Sequence, residues 1–179
     1  RSLDVGLPYP PGRPWSLARL AHLMVVAVAL FVIAFAARIV TASLFGDPIY
    51  PDAYYYSLGA RELAAGNGFQ LDYIWNFVDV GGRLPAEGSL PIPSNAHWMP
   101  LAALIQVPFI WLLGPTAVAS ALPFWIVAAA VAPLTFLIGT DAGMARWQAA
   151  AAGLLVAVPG WVAPYLGQTD NFSLFMLLG

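Results

Sequence analysis

The sequence predicts an all-α integral membrane protein, and its composition and long apolar runs are the reasons. Of the 179 residues, 60% are hydrophobic and 9% are charged, and lysine is absent. Several apolar runs are too long for the core of a soluble domain of this size. Because the chain has no cysteine, disulfides and thiolate metal sites are excluded. A net charge of -2 and scattered arginines argue against nucleic-acid binding.

The first predicted transmembrane helix covers residues 17–45 and follows a cytoplasmic segment, 1–16. At about 1.5 Å per residue it would be roughly 43 Å long, which exceeds the hydrocarbon core of about 30 Å. Arg38 lies within this helix, where it either snorkels to the nearby interface or pairs with an acid inside the bundle. A cleaved signal peptide is the weaker alternative, because its apolar region is usually shorter.

Two further transmembrane helices are predicted over residues 116–139 and 146–166, joined by a connector, 140–145. Their lengths of roughly 36 Å and 31 Å suffice to cross a bilayer. Residues 98–113 form a shorter apolar stretch with two prolines, which suits an interfacial helix better than a span. Residues 167–179 hold a polar motif and the start of a fourth apolar run, so we expect the chain to continue.

Arginine placement predicts the topology. Three arginines lie at the N-terminal side of the first helix: Arg1 and Arg13 precede it, and Arg19 lies in its first turn. The positive-inside rule therefore places the N-terminus in the cytoplasm and residues 46–115 in an extracytoplasmic loop. If 98–113 does not cross, Arg146 lies inside, and Asp52 and Asp170 share the outer face. If it does cross, the bilayer separates the two acids; the shortness of the stretch favours the first arrangement.

The extracytoplasmic loop is predicted to contain a helix over residues 52–65. Asp52 is expected at its N-cap and Gly66 at its end. A capping role alone would explain Asp52, but it is compatible with chemistry, because a capping carboxylate is held rigidly and stays ionised. The rest of the loop is rich in proline and glycine. Its aromatic residues suit sugar stacking or an interfacial belt (Tyr73, Trp75, Phe77 and Trp98).

The order of these segments resembles the N-terminal part of the C-type glycosyltransferases. These are polytopic membrane enzymes that include protein mannosyltransferases, aminoarabinose transferases and the catalytic subunit of oligosaccharyltransferase. The similarity covers roughly residues 17 to 179 and rests on a long first helix, the interfacial stretch, two spans and short motifs. The motifs are Pro51-Asp52-Ala53-Tyr54-Tyr55-Tyr56, Ala60-Arg61, Gly66-Asn67-Gly68-Phe69, His97-Trp98-Met99-Pro100-Leu101 and Thr169-Asp170.

The resemblance implies a helical bundle with juxtamembrane helices in its first extracytoplasmic loop, and an inverting transfer from a polyprenyl-phosphate-linked sugar to an acceptor. Asp52 is then the candidate base. Asp170 would orient the acceptor or, with Asp52, help hold a divalent cation, the candidate cofactor. The remaining candidates would contact the substrate: Arg61 and Arg38 its phosphate, and His97, Trp98 and Tyr55 other parts of it.

Two departures from the family pattern leave the metal requirement open. Many relatives have a second acid directly after the first, whereas Ala53 follows Asp52 here. Oligosaccharyltransferase-like members have an Asp-x-Asp at the later motif, whereas Gln168 precedes Thr169-Asp170 here.

Several alternatives stay open. Arg61 is equally explained by a local ion pair with Glu62 or an aspartate, and His97 by hydrogen bonding at the interface. The expected partners are the lipid-linked donor and membrane lipids. The alternative function is a non-catalytic helical subunit, or a degenerate relative, packed with partner membrane subunits. A transporter is disfavoured by the scarcity of intramembrane charges.

Overall fold

The computed structural model describes residues 16–45, 48–74, 80–83, 86, 89–94 and 98–179, and most of these are helical. The helices are α1 (Leu17–Phe45), α2 (Pro51–Ala64), α3 (Leu101–Leu104), α4 (Val107–Leu113), α5 (Ala117–Asp141), α6 (Arg146–Ala157), α7 (Ala163–Leu166) and α8 (Phe172–Leu178). By length and composition α1 and α5 can cross a membrane, and α6 with α7 makes a third span if the bent pair counts as one. The chain is therefore a membrane protein.

Small side chains let α1, α5 and α6 pack closely. Leu30 and Ala34 of α1 are buried against Ala132 of α5 and Ala157 of α6. A side chain added at Gly153 of α6 would lie 2.8 Å from Leu30 Cδ1 and 3.0 Å from the Ala132 carbonyl oxygen. Membrane helices associate mainly through such close contacts, because lipid removes the hydrophobic driving force between them.

Helix α2 begins earlier than predicted. Its N-cap is Tyr50, with Pro51 in the first turn, and Asp52 lies inside that turn. The prediction that Asp52 is the N-cap is therefore wrong, although its carboxylate still benefits from the positive end of the helix dipole. The predicted end is confirmed, because Gly66 has a φ of 85° directly after the C-cap, Ala65.

The stretch predicted as one interfacial helix over 98–113 is two short helices, α3 and α4. They are separated at Gln106, whose side-chain Nε2 donates to the carbonyl oxygens of Ala102 and Tyr56, at 2.7 Å and 3.3 Å. Trp111 Nε1 also donates to the Ala64 carbonyl oxygen at 2.9 Å. At about 1.5 Å per residue the pair extends roughly 20 Å, less than a hydrocarbon core.

The third predicted span is not one continuous helix. Helix α6 ends at Ala157, a 3-10 turn covers Gly160–Val162, and α7 follows at an angle of 47° to α6. Pro159 removes one backbone donor, and Gly160 has a φ of 64°, a left-handed conformation that glycine adopts readily. The bend turns the chain back toward α2.

A short strand pairing was not predicted. Gln70–Leu71 and Ile92–Pro93 form an antiparallel pair, with Gln70 opposite Pro93. Ser94 N also donates to the Phe69 carbonyl oxygen at 2.9 Å. This pairing closes the loop that follows α2.

Candidate functional site

Hydrogen bonds dock the segment before α8 on the start of α2. We call this contact between residues 49–56 and 168–171 the clasp. Thr169 Oγ1 donates to the Ala53 carbonyl oxygen at 2.6 Å, and both residues are buried. Because the two segments are more than a hundred positions apart in sequence, the bend between α6 and α7 and the packing of the spans bring them together.

Asp170 lies at the centre of the clasp and is 7% exposed. The Tyr50 hydroxyl donates to Asp170 Oδ2 at 2.8 Å, and the Asn171 backbone N–H donates to Oδ1. Next to it, Gln168 Oε1 accepts from the Ile49 backbone N–H at 2.8 Å. Each carboxylate oxygen of Asp170 therefore already has a protein donor, which fixes the orientation of the group.

Asp52 has a different environment. Its side chain is half-buried and makes no hydrogen bond with another residue that the structure describes. Burial raises the pKa of the Asp52 carboxyl, and the negative charge of Asp170 raises it further. The structure thus brings the two predicted acids within electrostatic reach of each other. Asp170 is held by donors, whereas Asp52 retains acceptor capacity.

Tyr56 belongs to the same polar cluster as the two acids. Its hydroxyl oxygen accepts from Asn171 Nδ2 at 2.7 Å. Burial raises the pKa of Tyr56 to about 12, with the charge of Asp170 as the next largest cause. The phenol therefore stays protonated at neutral pH, and its O–H remains a donor.

The set of side chains that could act as ligands of a cation is small. Within the described part of the chain no group of three or more histidine, cysteine, aspartate or glutamate side chains is placed to hold a metal ion. Asp52 and Asp170 can supply part of a ligand set, but Mg²⁺ and Ca²⁺ take six or more oxygen ligands. A divalent cation at this site would therefore need further ligands.

The aromatic candidates Tyr55, on α2, and Trp98 pack against each other. The Trp98 ring is 5.7 Å from that of Tyr55 and 5.9 Å from that of Tyr56, measured between centroids. Tyr55 is 1% exposed within the apolar core. Its ring is therefore covered by neighbouring residues, and a contact between Tyr55 and the substrate stays a prediction. Trp98 is half-buried against the same core, and His97 lies outside the described residues.

The two arginine candidates are separated in the structure. Arg61 is half-buried near the end of α2, and its Nε has no hydrogen-bond partner among the described residues. The expected Arg61–Glu62 pair is not formed; Glu62 instead accepts from Asn67 Nδ2 at 2.8 Å.

Arg38 is 1% exposed and its Nη2 donates to the carbonyl oxygens of Val156 and Ala157, both at 3.4 Å. Snorkelling is therefore wrong for Arg38. No ion pair with an acid is formed within the described residues either.

Three residues of the clasp were not predicted as functional: Tyr50, Tyr56 and Asn171. Sequence signals existed for all three, because each lies next to a predicted acid, next to its motif or within that motif. Tyr50 precedes Pro51-Asp52, Tyr56 ends the same motif, and Asn171 follows Asp170.

No family model, no curated protein and no solved structure matches the chain.

Proposed function

We propose that the chain is a membrane glycosyltransferase, or the N-terminal portion of one, that transfers a sugar from a polyprenyl-phosphate donor at the extracytoplasmic face. The approach of Asp52 and Asp170 is the observation that supports this proposal most strongly. The two acids come from sequence-distant segments and meet next to helices that can cross a membrane. A lipid-linked substrate presents its head group at that level of the bilayer. The N-terminus lies in the cytoplasm in this arrangement.

Asp52 is the base of the proposed reaction. The hydroxyl of the acceptor attacks the anomeric carbon of the donor sugar and forms the new glycosidic bond. The bond between that carbon and the phosphate oxygen breaks, and its electron pair leaves with the lipid phosphate. Asp52 takes the acceptor proton, and the configuration at the anomeric carbon inverts. Its carboxylate has no hydrogen-bond partner among the described residues, and its pKa is raised. Both features suit this role, because a base works best when its pKa is near the working pH.

Asp170 orients the acceptor from the other side of the clasp. Its carboxylate is fixed by Tyr50 and by the Asn171 backbone, so it can accept a hydrogen bond from a substrate hydroxyl without moving. Arg61 is the candidate for the departing phosphate, because its Nε lacks a partner in the described chain and a guanidinium suits phosphate oxygens. Arg38 faces the bend between α6 and α7 and is not assigned to the donor phosphate.

Asp52→Asn tests the proposed base. The amide keeps the size of the side chain but cannot take a proton. We expect sugar transfer in membranes to fall by about 100-fold or more, with normal amounts of protein. Asp72→Asn is the matched control, since Asp72 is an exposed acid of the same loop, and its transfer rate should equal that of the wild type.

Unchanged transfer in Asp52→Asn would overturn the assignment of the base. A different outcome would favour the non-catalytic role. In that case the wild-type chain shows no transfer and co-purifies in fixed stoichiometry with other membrane subunits.

A further inference from the structure

We infer that Arg38 is a positioning residue that fixes the bend between α6 and α7 and thereby sets the geometry of the clasp. Its Nη2 bonds the carbonyl oxygens of Val156 and Ala157, the last turn of α6. Pro159 has no N–H, and Gly160 has a positive φ. The helical ladder consequently ends here and leaves carbonyl groups without their usual donors.

A cation is well suited to this position. The C-terminus of a helix has a partial negative charge from its aligned peptide dipoles, and unsatisfied carbonyl groups are costly at membrane depth. A buried arginine in a membrane-spanning helix is itself costly, so it is usually retained for a specific interaction. Here one guanidinium nitrogen contacts two adjacent carbonyl oxygens. A neutral apolar side chain of similar length cannot replace either bond.

A continuous line of packing connects Arg38 with the clasp. A narrow crevice is lined by the side chain of Arg38 together with Trp125, Gly167 and Gln168. Trp125 fits closely against this turn, since a side chain added at Gly167 would lie 3.1 Å from Trp125 Cδ1. The Gln168 side chain then accepts from Ile49 in the clasp. A shift of the bend therefore moves Gln168, and with it the segment that presents Asp170.

Spin-label distances test this role directly. The chain has no cysteine, so labels can be attached to introduced cysteines alone. The clasp pair is Tyr54→Cys in α2 with Phe175→Cys in α8, both at exposed positions. The control pair is Val28→Cys in α1 with Ile138→Cys in α5, which are also exposed and report on the packing of the spans. Each pair is measured in the wild type, in Arg38→Met and in Arg38→Lys.

We expect Arg38→Met to broaden or shift the clasp distance and to leave the control distance unchanged. Arg38→Lys keeps the charge and should restore most of the wild-type distribution. An unchanged clasp distance in Arg38→Met would overturn the inference. A change in both pairs would also overturn it, because Arg38 would then be a general packing residue.

The consequence for catalysis rests on the proposed function. If the clasp performs transfer, Arg38→Met should lower kcat by about 10- to 100-fold, with a smaller change in KM for the donor. The experiments distinguish failure of the positioning role of Arg38 from failure of the proposed function. Distances that respond to Arg38→Met in a protein whose Asp52→Asn variant still transfers sugar would support the positioning role and contradict the proposed base.

Discussion

Helix α5 and the α6–α7 segment both contain proline, yet only one of them is broken. Helix α5 continues for 25 residues through Pro123 and Pro133. The α6–α7 segment bends by 47° near Pro159. The difference lies in the neighbouring residue, because Gly160 has a φ of 64° and no such glycine follows either proline of α5.

A proline in a membrane helix thus removes one hydrogen bond but does not by itself decide the direction of the chain. Neighbouring helices can satisfy the freed carbonyl of a continuous helix. A sharp turn needs a residue that tolerates the left-handed region and a donor for the last carbonyls. Gly160 and Arg38 supply these two requirements. The bend then directs the chain to the clasp, where Asp170 meets Asp52.

Straightening the bend between α6 and α7 should have the largest effect on sugar transfer. In Pro159→Ala with Gly160→Ala, the backbone regains a donor and loses the residue that favours a positive φ, so α6 can continue. We expect residues 168–171 to leave the clasp and transfer to fall by about 100-fold. The same spin-label pair on α2 and α8 measures the displacement.

Pro133→Ala is the matched control for this pair of changes. It removes a proline from the middle of a continuous helix, so the clasp distance and the transfer rate should stay at wild-type values. Equal loss of transfer in both variants would contradict the distinction between the two segments.

Asp170→Asn removes the negative charge of Asp170 and leaves the bend between α6 and α7 unchanged. Burial and then the charge of Asp170 raise the pKa of Asp52, so removal of that charge lowers the pKa of Asp52. A base is active when ionised, and transfer therefore rises with pH through that pKa. We expect the acidic limb of the kcat/KM profile to move to lower pH in Asp170→Asn, while the maximal rate falls.

Asp72→Asn should leave the acidic limb in place, because Asp72 lies outside the clasp. A limb that moves to higher pH in Asp170→Asn, or stays where it was, would show that the two carboxylates do not interact.

Gly153→Ala should have a smaller effect, on stability alone. The added methyl group would lie 3.0 Å from the Ala132 carbonyl oxygen, which is backbone and cannot yield easily. We expect a loss of about 1–3 kcal/mol in the free energy of unfolding, measured by thermal unfolding in detergent. Gly139→Ala is the control, because its nearest neighbours are the Ala149 and Met144 side chains, both at 3.1 Å. The loss of unfolding free energy in Gly139→Ala should be smaller than that in Gly153→Ala. A larger loss in Gly139→Ala would contradict the packing described for α6.

Apolar length predicted the positions of α1 and α5 well, because a bilayer requires a long run and leaves little freedom in where it lies. Residues 17–45 coincide with α1, and α5 differs from 116–139 by one or two residues at each end. The N-cap of α2 was predicted at Asp52, which is two residues too late. Proline is favoured at the first helical position, so Pro51 already indicated Tyr50 as the cap.

The bend and the partners of Arg38 could not be read from the sequence. Four prolines occur in the second and third apolar segments (Pro123, Pro133, Pro159 and Pro164). Only Pro159, which is followed by a positive-φ glycine, breaks its helix. The contact of Arg38 with Val156 and Ala157 spans more than a hundred residues. It depends on how α1 packs against α6, which no local pattern encodes. The approach of Asp52 to Asp170 was expected from topology, but the contributions of Tyr50 and Asn171 required the tertiary structure.

Asp52 and Asp170 can share one site only if they face one compartment, and labelling from the two sides of the membrane tests this directly. Tyr54→Cys and Phe172→Cys, both exposed and two residues from the respective acids, are introduced singly into this cysteine-free chain. In sealed vesicles of known orientation, a membrane-impermeant maleimide should label both positions from the extracytoplasmic side. Labelling of the two positions from opposite sides would contradict the shared site.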